Sequence, residues 1–230
     1  MTLKVYSALA AVVLLLGGCV QNSTPDYTAP EQGDAGFLLG KNTRADELYV
    51  NGETQPGARD FRDVFIAQAN LSSIQVIKPE GGAPDQDWQI TDAERDILQK
   101  AIMTEFTSTL GFESAYNIVE TREQSEITVN TTVVAIHPHS TREQVAAGAK
   151  PGGAITASIS LVNSKTGAVM VRSVDTRSSD DIWAFNQVES EDPAIDLIFR
   201  NWGNSIRRGM LHLQGRSVDP LVQPVNLKAQ

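Results

Sequence analysis

Two segments of the chain carry apolar residues at the spacing of an α-helix. In the first, four apolar residues recur every four positions and form one stripe: Leu98, Ile102, Phe106 and Leu110. Just before the stripe, Thr91 and Glu94 stand three residues apart, as in a capping box, where each side chain satisfies a free backbone amide. Gly111 is placed to end this helix.

The second helical segment lies near the C-terminus. Asp192 and Pro193 would open it, because proline is favoured in a first helical turn, and Gly215 would close it. Its stripe consists of Ile195, Phe199, Trp202, Ile206, Met210 and Leu213. We expect Trp202 to belong to the core, since both helices have a single apolar face and need a sheet to cover it.

Strand patterns fill the region before and between the helices. Residues 61–76 alternate imperfectly and predict one or two strands, residues 126–136 are rich in β-branched side chains, and residues 155–161 alternate apolar with polar or small side chains. A turn at Asn163 to Gly167 leads into a returning strand at Ala168 to Thr176. This order predicts an α+β two-layer sandwich, with a mostly antiparallel sheet and both helices packed on one face.

The N-terminus reads as a secretory leader over residues 1–18. It has Lys4 in its first part, an apolar run from Ala8 to Leu16, and small residues before Cys19. A single membrane-spanning helix is one alternative, but the apolar run is about half of the roughly 20 residues that such a helix needs. A plain secretory leader followed by an incidental cysteine is the other alternative.

Leu16-Gly17-Gly18-Cys19 resembles the lipobox of bacterial lipoproteins. The resemblance implies that Cys19 is acylated after the leader is cut, so that the bilayer is a partner held through this residue. Because Val20 rather than aspartate follows the cysteine, the resemblance also implies the periplasmic face of the outer membrane. Cys19 is the only cysteine, so its acylation would leave no thiol for a disulfide or a thiolate metal site.

Charge and composition narrow the choice of partners and set the domain boundaries. Removing the leader, which contains Lys4 and no acidic residue, lowers the formal net charge from −9 to −10. Nucleic acid and anionic lipid surfaces select basic patches, so neither is an expected ligand. We expect a flexible linker over residues 19–57, a globular domain over 58–216 and an irregular tail over 217–230.

A second resemblance covers most of the chain. The lipobox, Gly36-Phe37-Leu38, the segment from Phe61 to Ile66, the hairpin turn at Asn163 to Gly167, and a last helix with Phe199 and Trp202 are similar to bacterial lipoproteins labelled domain of unknown function 3313. That family has no established activity. The resemblance therefore implies a fold and a location, and it implies no chemistry.

The search for chemistry predicts no catalytic, cofactor-binding or metal-binding residue. His137 and His139 are two ligands at most, whereas a metal site needs further ligands. The acidic cluster Glu189 to Asp192 precedes Pro193 and suits the first turn of a helix, and Asp180-Asp181 shows no calcium-loop spacing. The glycine-rich segment Gly148 to Gly153 lacks the ending of a phosphate-binding loop.

One surface of the second helix is a candidate partner site. Leu197 and Leu211 project almost opposite the core stripe at 100° per residue, beside Arg200 and Arg207. We expect a non-enzymatic adaptor or structural subunit that binds another envelope protein. The alternatives that stay open are a periplasmic small-ligand or glycan-binding module, walled by the loops before Trp88 and around Trp183, and an enzyme acting on glycan.

Overall fold

A computed structural model describes residues 26–28, 37–41, 45–51, 60–77, 90–181 and 194–216. Within these ranges the chain forms nine strands, two long α-helices, one short α-helix and two single-turn 3-10 helices. The strands are β1 (Asp26–Thr28), β2 (Phe37–Lys41), β3 (Glu47–Asn51), β4 (Asp63–Ile66), β5 (Gln75–Val76), β6 (Asn117–Val119), β7 (Ile127–Pro138), β8 (Gly153–Asn163) and β9 (Val169–Ser179). The helices are α1 (Asp92–Gly111), α2 (Arg142–Ala146) and α3 (Ala194–Leu213).

The described strands form one mixed sheet in the order β1-β2-β3-β9-β8-β7-β4-β6, with β5 also paired to β7. Every pair from β1 through β7 in this order is antiparallel. The pairings of β4 with β6 and β7, and of β5 with β7, are parallel. The sheet is therefore mostly antiparallel, and the predicted α+β sandwich with both long helices on one face is confirmed.

Helix α1 begins as the sequence predicts. The Thr91 side chain accepts a hydrogen bond from the Glu94 amide, and the Glu94 carboxylate accepts one from the Thr91 amide, which completes the capping box. The helix ends at Gly111. Its four stripe residues, Leu98, Ile102, Phe106 and Leu110, are fully buried. The local signals of the sequence thus fix both ends of this helix and the face that it buries.

Helix α3 contributes the largest side chain of the core. Trp202 is 2% exposed, as expected, and its ring packs 5.5 Å from that of Phe199. The indole Nε1 donates a hydrogen bond of 2.8 Å to Oδ2 of Asp175, which is itself buried on β9. Because the indole N–H has a partner, Trp202 can be buried without the cost of an unsatisfied donor. The predicted opening residues Asp192 and Pro193 lie outside the described residues.

The hairpin of β8 and β9 forms around the predicted turn. Gly167 adopts a φ of 75°, a left-handed conformation that favours glycine. The Asn163 side chain accepts hydrogen bonds from the Lys165 and Thr166 amides and so closes the turn locally. The turn sets the register in which Ile159 of β8 lies opposite Ser173 of β9.

The sheet begins before residue 58, where we expected the globular domain to start. Strands β1, β2 and β3 all lie within the predicted linker 19–57, and β3 pairs with β9 from Glu47↔Val174 to Val50↔Val171. The expectation of a flexible linker is therefore corrected for these three strands. Strand β3 pairs with β9 through backbone hydrogen bonds and buries Val50, although the composition of the range 19–57 as a whole is polar.

The two long helices lie side by side and run parallel. The contacts advance in the same direction along both helices. Glu105 contacts Arg200, Thr109 contacts Gly203, and the Arg207 guanidinium carbon lies 5.1 Å from the centre of the Phe112 ring. At Gly203 the helices approach so closely that a Cβ would overlap Oγ1 of Thr109 and lie 3.0 Å from its Cβ. A glycine is required at this contact because every other residue carries a Cβ.

We predict that Gly203→Ala lowers the free energy of unfolding. Overpacking costs about 1–3 kcal/mol, which exceeds the gain of up to about 1 kcal/mol from the better helix propensity of alanine. Urea unfolding of the purified domain measures the difference. Gly209→Ala is the matched control, because a Cβ at Gly209 meets nothing within 4 Å on the same helix.

The control should keep or raise the free energy of unfolding. If the two substitutions changed it equally, the close approach of α1 and α3 would be wrong.

Candidate functional site

The predicted lipidation site, Cys19, lies outside the described residues, as does the whole predicted leader. The acidic cluster 189–192 and the aromatic residues Trp88, Trp183 and Phe185 also lie outside them. The acylation of Cys19, and the loops that we expected to wall a ligand cleft, therefore stay predictions.

The predicted partner patch on α3 is not an exposed surface. Leu211 is 3% exposed and Arg207 is 3% exposed, so both residues are buried. Leu197 is half-buried. Arg200 is engaged with α1, where its Nε and Nη2 donate to the two carboxylate oxygens of Glu105 at 2.8 and 3.1 Å. The expectation of an apolar centre with a charged rim on this side of α3 is therefore corrected.

The predicted patch is buried because α3 has two packing partners, the sheet and α1. Its first seam faces the sheet and follows the predicted stripe. Its second seam faces α1 and the residue that follows it, and contains Arg200, Gly203 and Arg207, which are spaced by three and four. Leu211 continues this spacing and is also buried. A helix packed against both a sheet and a neighbouring helix buries a wider arc than a helix with one partner.

Buried carboxylates on the helix side of the sheet have structural partners. Glu105 pairs with Arg200, and Asp175 accepts from both Trp202 and the Nε of Arg177, the latter at 2.6 Å. Both carboxylates are buried, and each ties α3 to a neighbouring element. Such pairs orient helices, because an ionised group taken out of water needs hydrogen-bonding partners.

Glu94 joins the start of α1 to α2. Its carboxylate receives two contacts from the Arg142 guanidinium, at 2.7 and 2.8 Å. Burial alone would raise the pKa of Glu94, but hydrogen bonds from Arg142 and Thr91 and the charge of Arg142 outweigh it and hold the pKa below 4.5. Glu94 is therefore ionised at neutral pH and holds the start of α1 against α2.

His137 and His139 sit at the end of β7, as the sequence indicates, half-buried and exposed respectively. Among the described residues, no three His, Cys, Asp or Glu side chains come together in a group that could hold a metal ion. Nearby, Asp180 pairs with Lys150 at 3.0 Å on the surface, and this contact raises the pKa of Lys150.

The face of the sheet opposite the helices carries a strip of uncharged polar side chains. On β8, the alternate residues Ile155, Ala157, Ile159 and Leu161 are buried in the core. The residues between them are half-buried and belong to the opposite face. Together with their neighbours on β7 they form what we call the uncharged strip: Asn130, Thr132, Thr156, Ser158 and Ser160.

The strip is continuous because the register places its members side by side. Ser158 lies opposite Thr132, and Ser160 lies opposite Asn130. Neither β7, with 12 residues, nor β8, with 11, contains an Asp, Glu, Lys or Arg residue. In a chain whose residues are 20% charged, two adjacent central strands without a charge form a distinct surface.

Charged and aromatic side chains border the strip on the β9 and β3 side. Arg172 lies opposite Ser160 and also opposite Tyr49 of β3, with its guanidinium carbon 5.4 Å from the centre of the tyrosine ring. The Tyr49 hydroxyl donates to Glu47 at 3.0 Å. Charged residues are depleted from the centres of protein interfaces, and arginine and tyrosine are enriched in interfaces.

Sequence reasoning missed this surface because it followed the apolar positions. The signal was present in the two strand patterns, where three successive alternate positions of β8 are Thr156, Ser158 and Ser160 and no charge interrupts either strand. A solvated sheet face commonly carries charged residues, so their absence from two neighbouring strands could have indicated the strip.

No helix in the part of the chain that the structure describes is long and apolar enough to cross a membrane.

Comparison with known proteins assigns no family. No family model matches the chain, and no curated protein matches it. The resemblance to lipoproteins labelled domain of unknown function 3313 therefore stays an expectation.

Solved structures that resemble this chain include bacterial proteins of low identity. Lipoprotein GNA1162 from Neisseria meningitidis is 9% identical, with 63% of this chain and 97% of that chain covered and a TM-score of 0.35. Protein XCC0632 from Xanthomonas campestris, of the DUF330 family model, is 13% identical, with 70% and 88% covered and a TM-score of 0.36. A PelC dodecamer from Paraburkholderia phytofirmans is 11% identical, with 70% and 94% covered and a TM-score of 0.38.

We predict that Glu94→Gln reduces the acid sensitivity of the fold. A carboxyl whose folded pKa is depressed stabilises the protein above its unfolded pKa, and that contribution is lost as the pH falls through the folded value. The free energy of unfolding, measured at neutral pH and again below pH 4.5, should therefore fall less in the variant than in the wild type.

Glu143→Gln is the control, since Glu143 is an exposed carboxyl in the first turn of α2. If the free energy of unfolding fell equally with acid in the Glu94 variant and in the wild type, the Glu94 carboxylate would not be the source of the pH dependence.

Proposed function

We propose that this chain is a lipid-anchored protein of the bacterial cell envelope that acts through contacts with another envelope protein and catalyses no reaction. The observation that carries the anchor is Cys19, placed directly after an apolar run and Leu16-Gly17-Gly18. Acylation at this position would hold the folded domain at a bilayer without a membrane-spanning segment, because two or more acyl chains together give stable anchoring.

Support for a role in protein contacts comes from the uncharged strip. Its centre on β7 and β8 is free of charged residues, and Arg172 and Tyr49 stand at its border. A partner that covers this centre desolvates hydroxyl and amide groups, which are cheaper to desolvate than charges and can hydrogen-bond across an interface. We therefore assign the partner site to this face of the sheet, in place of the α3 surface.

The buried carboxylates support a non-enzymatic role because their partners are structural. Glu94 and Glu105 are each held by an arginine of another helix, and Asp175 is held by Arg177 of the same strand and by Trp202 of α3. A general acid or base has to exchange protons with a substrate, and a carboxylate committed to a structural arginine is a poor candidate.

A glycan-binding module is the second candidate. The observation that favours it is the row of hydroxyl and amide side chains beside the Tyr49 ring, because sugars bind through hydrogen bonds and through packing on aromatic rings. The proposed location is the same in both cases, namely the periplasmic face of the outer membrane.

We predict that Cys19→Ser abolishes anchoring. Serine cannot form the thioether that carries the lipid, so the variant should accumulate as an uncleaved precursor or as a soluble protein. Radiolabelled palmitate should be incorporated into the wild type and not into the variant, and cell fractionation should show the wild type in the outer membrane.

Val20→Asp is the matched control for sorting. In the resembling lipoproteins an aspartate after the cysteine retains the protein at the inner membrane. This variant should therefore keep its palmitate but appear in the inner-membrane fraction. Palmitate incorporation by the serine variant would contradict the anchor, and wild-type protein in the inner-membrane fraction would contradict the outer-membrane assignment.

A further inference from the structure

We infer that the β1 edge of the sheet is held close to the lipid surface, so that the domain presents this edge to the membrane. The inference rests on the proposed acylation of Cys19. Strand β1 begins at Asp26, only seven residues after Cys19. A chain of seven residues spans at most about 25 Å when fully extended. The start of β1 therefore lies within about 25 Å of the acylated residue.

The pairing of β1 is what makes the tether short. Asp26 lies opposite Lys41 and Thr28 opposite Leu39, so β1 is bound to β2 in an antiparallel register. Strand β2 is bound to β3, and β3 is bound to β9 in the centre of the sheet. If the whole range 19–57 were free, the tether could reach about 140 Å and would not orient the domain.

The sequence around β1 is suited to a terminal edge strand. Pro25 and Pro30 stand on either side of the three paired residues. Proline lacks the amide that a further ladder bond would need, and it is found in sheets mainly at edges and strand starts. Strand β1 is thus limited to a short edge, with the anchor on one side of it.

This geometry limits where the partner of the uncharged strip can be. Strands β8 and β7 are the fifth and sixth strands from the β1 edge, so the strip lies about 19–24 Å from β1 at 4.8 Å per strand. Adding the tether, the strip lies within about 50 Å of the lipid surface. A partner that covers it must itself be attached to the membrane or extend close to it.

Distances from the bilayer can be measured with one fluorophore per molecule, because Cys19 is the only cysteine and its acylated form leaves no thiol. Glu47→Cys places the label on β3, and Glu120→Cys places it just after β6, at the far edge of the sheet. Both residues are exposed. The acylated full-length protein is reconstituted in phosphatidylethanolamine and phosphatidylglycerol vesicles that contain an acceptor dye on the lipid headgroup. Energy transfer should be higher from position 47 than from position 120.

Two matched insertions test the role of β1. Twelve glycine and serine residues inserted between Thr24 and Pro25 lengthen the tether by up to about 40 Å. The same insertion between Ala29 and Pro30 lengthens only the connection from β1 to β2. Energy transfer from position 47 should fall with the first insertion and stay at the wild-type level with the second.

Equal transfer from positions 47 and 120, or an equal fall with both insertions, would overturn the inference while the vesicle-bound protein still supports the anchor. Wild-type protein without an acyl group, recovered free of vesicles, would overturn the anchor and the inference together.

Discussion

The close approach of α1 to α3 at Gly203 is the contact on which the rest of the structure depends. It lets two helices form a single layer over one face of the sheet, because their axes come nearer than two side chains with Cβ atoms would permit. The hydroxyl of Thr109 donates back to the Glu105 carbonyl at 2.7 Å, so this buried hydroxyl is satisfied. The Glu105–Arg200 pair then fixes the helices along their length.

This helix contact also explains which parts of the fold the sequence could predict. The capping box at Thr91 and the turn at Asn163 depend on residues three or four apart, so their signal is local and both were confirmed. The apolar stripe of α3 predicted its sheet-facing side, and the burial of Trp202 confirmed it. Periodicity shows which face of a helix is apolar, but it does not show how many neighbours the helix has. For that reason Leu211 was wrongly expected at the surface.

The strands of the N-terminal part could not be predicted for a different reason. Strands β2 and β3 are short apolar segments in a range that is polar overall, and β3 joins β9 through backbone pairing, which the composition of the range does not indicate. The uncharged strip was likewise not recognised, although its sequence signal exists. It depends on the register that brings Ser158 beside Thr132, and a register is a tertiary property that one strand pattern alone does not contain.

The two faces of the sheet differ in what covers them and in the side chains they carry. One face is covered by helices, and buried charges on this side hold the fold together: Glu105 pairs with Arg200 between the helices, and Asp175 of β9 accepts from Trp202 of α3. The other face carries hydroxyl and amide groups, which we propose contact a partner, and the short tether before β1 would keep that face near the membrane. Fold stability and partner binding would then depend on separate residues, and substitutions on the strip should leave the core intact.

The most direct measurement of the central claim is site-specific photo-cross-linking in intact cells. A benzophenone amino acid is placed at Asn130, an exposed position in the strip, and in a second variant at Thr107, an exposed position on α1. We predict a discrete cross-linked product with one membrane-associated envelope protein from position 130 and none from position 107. The same product from both positions, or no protein product from position 130 together with binding of the purified protein to peptidoglycan, would contradict the account.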